Sequence, residues 1–335
     1  MRNANRQWLL DRFPEGMPTE TDWRLAESPV PEAGDGEMLV KSLYLSVDPY
    51  MRGRISPAKN YAKGVDIGEV MTGGGVGEVV RSNHPDFQPG DIVESFQFGW
   101  QDFAVLPADG TRKVDPSLGP IHSALSYLGM PGLSAYFALL DIGQPKPGDT
   151  VVISAASGAV GQIAGQIAKI KGCRAVAIAS SDEKLTWCRE LGYDAGINYK
   201  TASDLTAAVA EACPDGVDVF FDNTAGPIHD AVMQNLALKA RVIVCGTVAL
   251  ADKFGQPDIG PRSLRQILVA RARVEGFLVF DFQDRYEAAR QQIASWHAEG
   301  RIRHREDIAE GLERTPAAFL KLLRSENFGK QLVRI

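Results

Sequence analysis

The order of hydrophobic and polar positions divides the chain into two parts. Up to about residue 120, short segments of alternating polarity are separated by turns such as Gln88-Pro89-Gly90-Asp91. This pattern is typical of a compact β domain in which one face of each strand is buried. The predicted strands in this part are 37–45, 77–81, 91–98 and 102–106.

From about residue 124 to 300, buried strand patterns alternate with helical patterns. Strands are predicted at 150–154, 174–179, 196–198, 217–222, 241–245 and 273–280, and helices at 158–171, 182–191, 205–212, 227–236 and 263–270. Such alternation predicts an α/β fold with a doubly wound parallel sheet. A strand-like end at 331–335 is expected to return to the first domain. We therefore expect one domain over 1–123 with 304–335, and a second over 124–303.

Composition narrows the class of protein. The chain has 335 residues, of which 44% are hydrophobic and 23% are charged, as in an ordinary globular protein. A formal net charge of −6 argues against a nucleic-acid partner. No apolar run approaches the ~20 residues that span a bilayer, and residues 1–14 lack the apolar core of a secretory signal. We expect a cytoplasmic protein without a membrane partner.

Cysteine and histidine positions argue against a metal site. Cys173, Cys188, Cys213 and Cys245 show no paired spacing, and each of the five histidines stands alone. This excludes a disulfide framework and a cysteine zinc lobe, and it favours buried thiols in a reducing compartment.

A candidate phosphate-binding turn follows the first strand of the second part. The sequence reads Thr150 to Ser154 as a strand, then a turn of small residues, then an apolar helical run. Such a turn lets backbone N–H groups approach a pyrophosphate, and the helix N-terminus adds partial positive charge. Compared with G-x-G-x-x-G, Ala156 replaces the first glycine. The candidate contacts are Ser157, Gly158, Ala159, Val160 and Gly161, although small residues also allow close helix packing.

The end of the next strand indicates which dinucleotide binds. Ser180 and Ser181 stand where an NAD site carries an acidic residue, and Lys184 lies one turn into the next helix. One charge-assisted contact of about 1.5–3 kcal/mol would favour NADP(H) roughly ten- to hundredfold. Tyr199 could contact the same phosphate, or it could be a loop anchor. Ser181 could equally cap the helix, and Lys184 could lie on a solvated face.

Two further strand ends are expected at the ligand edge of the sheet, because ligands bind beyond the carboxyl ends of parallel strands. The first carries Asn223, either as a hydrogen-bond partner of the ligand or as a turn residue. The second carries Cys245, Gly246 and Thr247. Their small side chains would let a nicotinamide ribose approach the backbone.

Motifs along nearly the whole chain resemble a known family. They lie at 45–52, 73–77, 129–136, 155–161, 181–184, 198–200, 275–277 and 327–330. With them the chain resembles the zinc-free branch of medium-chain dehydrogenases/reductases. Within that branch it resembles the group of leukotriene B4 12-hydroxydehydrogenase/prostaglandin reductases, alkenal double-bond reductases and bacterial curcumin-reductase-like enzymes.

The resemblance implies a GroES-like substrate domain, a Rossmann domain that binds NADPH, and a homodimer formed through edge strands of the Rossmann sheets. The edge strand here would be 274–280. The resemblance also implies cofactor contacts at Met130 near the nicotinamide, at Gly158 to Gly161, and at Lys184 and Tyr199. Further contacts fall on Asn223, Cys245, Gly246, Phe277, Leu278 and Asn327. Zinc alcohol dehydrogenases carry a cysteine where this chain has Ser46, and the first 83 residues contain no histidine, so no metal is expected.

The activity implied is NADPH-dependent reduction of the C=C bond of α,β-unsaturated ketones or aldehydes. The developing enolate needs a hydrogen-bond donor. Tyr50 is the first candidate and Tyr61 the second, although Tyr50 could equally be a core aromatic. Arg52 could pair with Asp48 or face a substrate carboxylate, and the structural role is favoured. The tyrosine that relatives often carry beyond Cys245-Gly246 is missing. A zinc-free quinone reductase and, less favoured, a non-catalytic NADPH-binding protein are the alternatives.

Overall fold

The computed structural model describes residues 4–57, 60–253 and 256–335. The chain forms two compact units. The first comprises Met1–Leu125, Ala251–Gln256 and Glu306–Ile335, and the second comprises Ser126–Leu250 and Pro257–Arg305.

The strands alternate with helices mainly in the second unit. In chain order the strands are β1 Ala4–Leu10, β2 Trp23–Pro29, β3 Glu37–Ser46, β4 Gly75–Ser82, β5 Ile92–Ser95, β6 Phe103–Pro107, β7 Thr111–Lys113, β8 Thr150–Ser154, β9 Arg174–Ala179, β10 Ala195–Asn198, β11 Val217–Asp222, β12 Leu236–Val244, β13 Arg273–Gly276, β14 Glu306–Glu310 and β15 Lys330–Arg334. The helices are α1 Met51–Arg54, α2 Met130–Phe137, α3 Gly161–Ile170, α4 Asp182–Glu190, α5 Leu205–Ala212, α6 Gly226–Met233, α7 Leu264–Ala270, α8 Tyr286–Ala298 and α9 Thr315–Leu323.

The first unit is built on a mostly antiparallel sheet. Its strand order is β14-β15-β3-β4-β5-β7, β6 also pairs with β3, and β1 and β2 form a separate antiparallel pair. The C-terminal strand β15 pairs antiparallel with β3, with Leu332 opposite Ser46. Large side chains such as Phe98, Trp100 and Phe319 are fully buried here. The sequence around residue 46 and the end of the chain therefore share one sheet.

The second unit contains the doubly wound sheet that the sequence predicts. Its strands are parallel in the order β10-β9-β8-β11-β12-β13, so the chain winds outward from β8 in both directions. Every residue of β8 is buried, as expected for a strand covered by helices on both faces. This confirms the α/β fold class. The order reverses between β8 and β11, where ligands bind in open sheets of this kind.

The last predicted strand is shorter than expected. The sequence predicts a strand over 273–280, but β13 ends at Gly276 and a 3₁₀ turn runs over Val279–Arg285. The rings that follow the strand pack on one another: Phe282 lies 5.0 Å from Phe137 and 5.6 Å from Phe277 between ring centroids. The apolar residues in 277–282 therefore reflect aromatic packing and not strand pairing, and the edge strand predicted at 274–280 is wrong beyond Gly276.

Residues 251–256 also differ from the expected division. The sequence places them within 124–303, whereas they belong to the first unit. Buried Arg52 explains the difference, because its Nε donates to the Ala251 carbonyl over 2.8 Å and its second guanidinium nitrogen donates to the Gly16 carbonyl over 2.9 Å. The assignment of the first unit as a substrate domain stays a prediction.

Among the described helices, none is both long and apolar enough to cross a bilayer.

Candidate active site

The turn between β8 and α3 has the tight geometry of a phosphate-binding turn. Ala155 adopts φ +48°, and the Gly158 N–H donates to the Ala155 carbonyl over 2.9 Å. A Cβ on Gly161 would lie 2.7 Å from the Ala156 Cα, so only glycine fits at the start of α3. Ala156 is buried and its N–H donates to the Ile178 carbonyl over 3.1 Å. The position of the first motif glycine therefore accepts an alanine.

Helix α3 begins three residues later than the sequence predicts. The sequence predicts a helix from residue 158, but α3 begins at Gly161. Residues 158–160 lie in the turn that connects the strand to the helix, so the N-terminus of a ten-residue helix directly follows the turn. The partial positive charge of that N-terminus favours an anion at this position.

A second cluster lies where β9 and β10 end side by side. Lys184 is almost completely buried and its Nζ donates to Ser180 Oγ over 3.1 Å. Ser181 caps α4 by accepting from the Lys184 N–H over 3.3 Å. The Tyr199 N–H donates to the Ala179 carbonyl over 3.1 Å, which places Tyr199 at the same sheet edge. Ser181 therefore takes the capping role, while Ser180 and Lys184 form a hydroxyl and ammonium pair beside it.

The end of β11 is organised by a carboxylate that the sequence did not single out. Asp222 is fully buried, and its Oδ1 accepts from the N–H groups of Thr224 and Ala225 over 2.9 and 3.0 Å. Its Oδ2 lies 2.8 Å from His229 Nδ1, and this contact raises the pKa of His229 above its ordinary value. The sequence signal was an Asp at a strand end directly before a turn, which is also an ordinary turn signal.

Asn223 has the turn role that the sequence left open. Its Nδ2 donates to the Ser154 carbonyl over 2.8 Å, and its N–H donates to Ser154 Oγ over 2.8 Å. The ends of β8 and β11 are therefore joined by one asparagine. Whether it also contacts a cofactor stays a prediction.

The end of β12 lies directly against this turn. The N–H groups of Cys245 and Gly246 donate to the Asp222 carbonyl over 2.8 and 3.1 Å. A Cβ on Gly246 would lie 2.8 Å from the Asn223 carbonyl oxygen. Burial raises the pKa of the Cys245 thiol to about 12, so this thiol is not a nucleophile near neutral pH. Thr247 is exposed.

The remaining predicted cofactor residues are placed as follows. Phe277 is buried after β13, and its N–H donates to the Val244 carbonyl over 3.1 Å, while Leu278 is exposed. Met130 is the first residue of α2 and is partly buried. Asn327 lies in the first unit, where it is buried and donates through Nδ2 to the Gly329 carbonyl over 2.9 Å. Phe277 therefore joins the group formed by Asn223, Cys245 and Gly246.

The first unit brings the two candidate tyrosines together around one cation. The Arg54 guanidinium carbon lies 5.5 Å from the Tyr50 ring centroid and 4.9 Å from the Tyr61 ring centroid. Burial, reinforced by Asp48, raises the pKa of Tyr50 well above its ordinary value. Burial also raises the pKa of Tyr61, and Arg54 opposes this shift. Both phenols therefore keep their protons near neutral pH and are hydrogen-bond donors.

Asp48 pairs with a lysine from the other end of the chain and not with Arg52. Lys330 Nζ lies 2.7 Å from Asp48 Oδ1, and Ser46 Oγ donates to Asp48 Oδ2. The predicted Arg52–Asp48 pair is therefore wrong, because the Arg52 guanidinium donates to backbone carbonyls instead. Arg52 does have a structural role. Lys330 was part of a motif noted in the sequence, but nothing local indicated its partner.

The fold and these sites define a class of protein. A doubly wound parallel sheet with a glycine-bearing turn after its first strand is the organisation of a dinucleotide-binding domain, and the chain also carries a separate antiparallel unit. Comparisons with known proteins agree. Residues 6–114 match the family model for the N-terminal domain of oxidoreductases, and residues 159–295 match the model described as zinc-binding dehydrogenase.

Similar proteins show which group within this family the chain belongs to. The chain is 42% identical to the NADPH-dependent curcumin reductase of Escherichia coli (strain K12), covering 100% of this chain and 98% of that one. It is 39% identical to prostaglandin reductase 1 of Rattus norvegicus, covering 98% of each. The crystal structure of CurA from Vibrio vulnificus in complex with NADPH superposes with a TM-score of 0.92, at 42% identity and 98% coverage of each chain. The chain belongs to the zinc-free double-bond reductase group of medium-chain dehydrogenases/reductases, which confirms the resemblance.

Proposed function

We propose that this protein is an NADPH-dependent reductase of the C=C bond in α,β-unsaturated ketones and aldehydes. The observation that carries the proposal is the pair of tyrosines whose rings contact Arg54, because reduction of such a bond leaves negative charge on a carbonyl oxygen that needs a hydrogen-bond donor. Similarity over the full chain to an NADPH-dependent curcumin reductase supports it, since curcumin contains C=C bonds conjugated to carbonyl groups.

The residues of the second unit fit an NADPH molecule. At Gly161 and Gly246 a side chain would overlap the backbone of the neighbouring turn, so both glycines let the turns at this edge of the sheet pack closely together, as in a dinucleotide-binding turn. Gly158 to Gly161 would hold the pyrophosphate at the N-terminus of α3. Ser180, Lys184 and Tyr199 would hold the 2′-phosphate, where an ammonium beside a hydroxyl suits a dianion.

Several smaller contacts complete the proposed cofactor site. Met130, Asn223, Cys245 and Phe277 of the second unit would hold the nicotinamide end, with Gly246, Thr247 and Leu278 beside them. Asn327 stays a candidate cofactor contact that the resemblance implies. When bound, NADPH supplies the hydride that adds to the β-carbon of the substrate. What this chain's own residues contribute is the stabilisation of the charge that this addition creates.

Tyr50 would donate a hydrogen bond from its phenol to the substrate carbonyl oxygen as the enolate develops. Its raised pKa means that it donates a hydrogen bond without losing its proton. The Arg54 charge, which contacts the Tyr50 ring, favours negative charge nearby. Tyr61 is the second donor, because it contacts the same guanidinium but is more exposed. A proton from solvent or a tyrosine would complete the reaction at the α-carbon.

We also propose a homodimer in the cytoplasm. Strand β13 lies at the edge of the parallel sheet, and the adjoining helix α7 exposes Leu264, Leu268 and Val269. An exposed edge with apolar neighbours is a surface that a second copy can cover. All four cysteines are free thiols, which suits a reducing compartment.

The decisive experiment follows NADPH absorbance with an α,β-unsaturated ketone. NADH, a saturated ketone and a benzoquinone are the comparison arms. Consumption that requires both NADPH and the enone supports the proposal. Consumption with the quinone but not with the enone would contradict it and support a quinone reductase, and tight NADPH binding without consumption in any arm would support a non-catalytic protein.

A further inference from the structure

Lys330 is a fully buried cation held by the segment that leads to Tyr50. Its Nζ lies 2.7 Å from Asp48 Oδ1 and donates to the Val47 carbonyl over 2.9 Å. The side chains of Lys330 and Asp48 are 1% and 6% exposed, and Ser46 occupies the second carboxylate oxygen. A buried ion pair of this kind cannot separate without leaving a charge unpaired in the interior, so its geometry is stiff.

The same contacts fix the backbone that carries Tyr50. Val47 and Asp48 directly precede Pro49 and Tyr50, and the Asp48 carbonyl accepts from the Met51 N–H over 3.2 Å at the start of α1. The Val47 N–H in turn donates to the Gln331 carbonyl over 3.3 Å. Val47 and Asp48, which lie three and two residues before Tyr50, are therefore both hydrogen bonded to the side chain of Lys330. Val47 is also hydrogen bonded to the backbone of Gln331.

Lys330 also ends the loop that carries Asn327. Gly329 adopts φ +86°, and its carbonyl accepts from Asn327 Nδ2 over 2.9 Å. Phe328, which lies between Asn327 and Gly329, donates its N–H to Asp307 Oδ2 over 3.0 Å. The backbone between Asn327 and Lys330 is thus short and held at both ends, so a displaced lysine would displace the asparagine.

We propose that Lys330 is a positioning residue that holds the substrate-side Tyr50 and the cofactor-side Asn327 in one fixed arrangement, with Asp48 as its counter-charge. The inference rests on the proposed function for the roles of these two residues. Small displacements of a positioned group cost rate steeply, by about a hundredfold for about 1 Å. A lysine that touches neither reacting atom can therefore control both binding of the cofactor and catalysis.

The test compares Lys330→Met, the double variant Asp48→Asn with Lys330→Met, and a control, Arg6→Met. Arg6 also forms an ion pair in the first unit, with Asp102 at 2.7 and 3.0 Å, but on other elements. For each protein, kcat and KM for an enone, the Kd of NADPH by fluorescence, and Tm are measured. Lys330→Met should lower Tm, because it leaves the Asp48 carboxylate buried and unpaired.

The double variant separates positioning from stability. Removing both charges should restore much of Tm, but kcat should stay at least about tenfold low and the Kd of NADPH raised, because the Val47 carbonyl has lost its donor. Arg6→Met should lower Tm without changing kcat or the Kd. Recovery of kcat together with Tm in the double variant would show that Lys330 only stabilises the fold. If the unaltered protein reduced no enone, the proposed function would fail, and kcat could no longer be compared. The Kd of NADPH would then test the positioning role by itself, and a Kd unchanged in both Lys330 variants would overturn that role.

Discussion

The hydroxyl of Tyr193 donates to the carbonyl oxygen of Gly161 over 2.7 Å. The tyrosine ring also lies directly over Gly165, one turn further along α3, where a Cβ would overlap it. The loop after α4 is thus packed onto the first turns of the helix whose N-terminus faces the proposed pyrophosphate. One buried ring therefore requires the glycine at Gly165 and holds the backbone of Gly161 through its hydroxyl.

Gly165→Ala should therefore weaken both stability and NADPH binding. The added methyl group forces the Tyr193 ring to move, and overpacking of this kind costs typically about 1–3 kcal/mol. The moved ring would release the Gly161 carbonyl and shift the phosphate turn. Chemical unfolding and NADPH fluorescence measure the two effects, with Tyr193→Phe as the control that removes the hydrogen bond without adding volume. Wild-type stability in Gly165→Ala would contradict this explanation.

Lys184→Ala should change cofactor preference. Loss of a charge-assisted contact to the 2′-phosphate should lower kcat/KM for NADPH roughly ten- to hundredfold and leave kcat/KM for NADH almost unchanged. Lys200→Ala, at an exposed lysine beside Tyr199, is the matched control. Equal losses with both cofactors would show that Lys184 supports the fold and not the phosphate.

Tyr50→Phe should lower kcat for an enone by about a hundredfold, because removal of one donor to a developing oxyanion has about this effect. Tyr61→Phe should have a smaller effect, since Tyr61 is 53% exposed and its donor competes with water. Because burial raises the pKa of Tyr50, its ionisation should not lower the rate up to about pH 10. Full activity in Tyr50→Phe would return this residue to the core aromatic role.

The contact between His229 and Asp222 should make stability depend on pH. The pKa of His229 is raised in the folded protein, mainly by its hydrogen bond to Asp222. The extra stability is therefore fully present below the ordinary value of about 6.5 and is lost as pH rises through the higher folded pKa. His229→Gln should destabilise the protein more at about pH 5 than at about pH 9, measured by chemical unfolding. His84→Gln is the control, and an equal loss at both pH values would contradict the prediction.

Leu268→Lys should prevent dimer formation. Leu268 is 75% exposed on α7, and a charge there would be buried without a partner in the proposed interface. Light scattering coupled to size exclusion measures the mass of each protein. Ile259→Lys, at a side chain that is also exposed, is the control. A dimer that persists in Leu268→Lys would show that the copies meet elsewhere or through other residues.

Local patterns were enough to predict most of the second unit. Strands β8, β9 and β11 have the predicted bounds, because each is a short apolar run ended by a turn signal. The role of Gly161 could also be predicted, because the steric contact that requires a glycine there is with residues close by in the sequence. The apolar residues after Gly276 show the limit of local patterns, because a short apolar run does not distinguish a strand from a packed turn.

Only the tertiary structure decided which residues that are far apart in the chain contact each other. The sequence by itself determined the fold class and the ends of β8, β9 and β11, since periodicity and turn chemistry are local, and its motifs resembled the family. It could not pair Asp48 with Lys330, which are 282 residues apart, and it paired the carboxylate with nearby Arg52 instead. It also did not place Arg54 between Tyr50 and Tyr61 or identify Asp222 as the centre of its turn. Charge pairing and burial depend on distances in space, and these exist only once the sheets have formed.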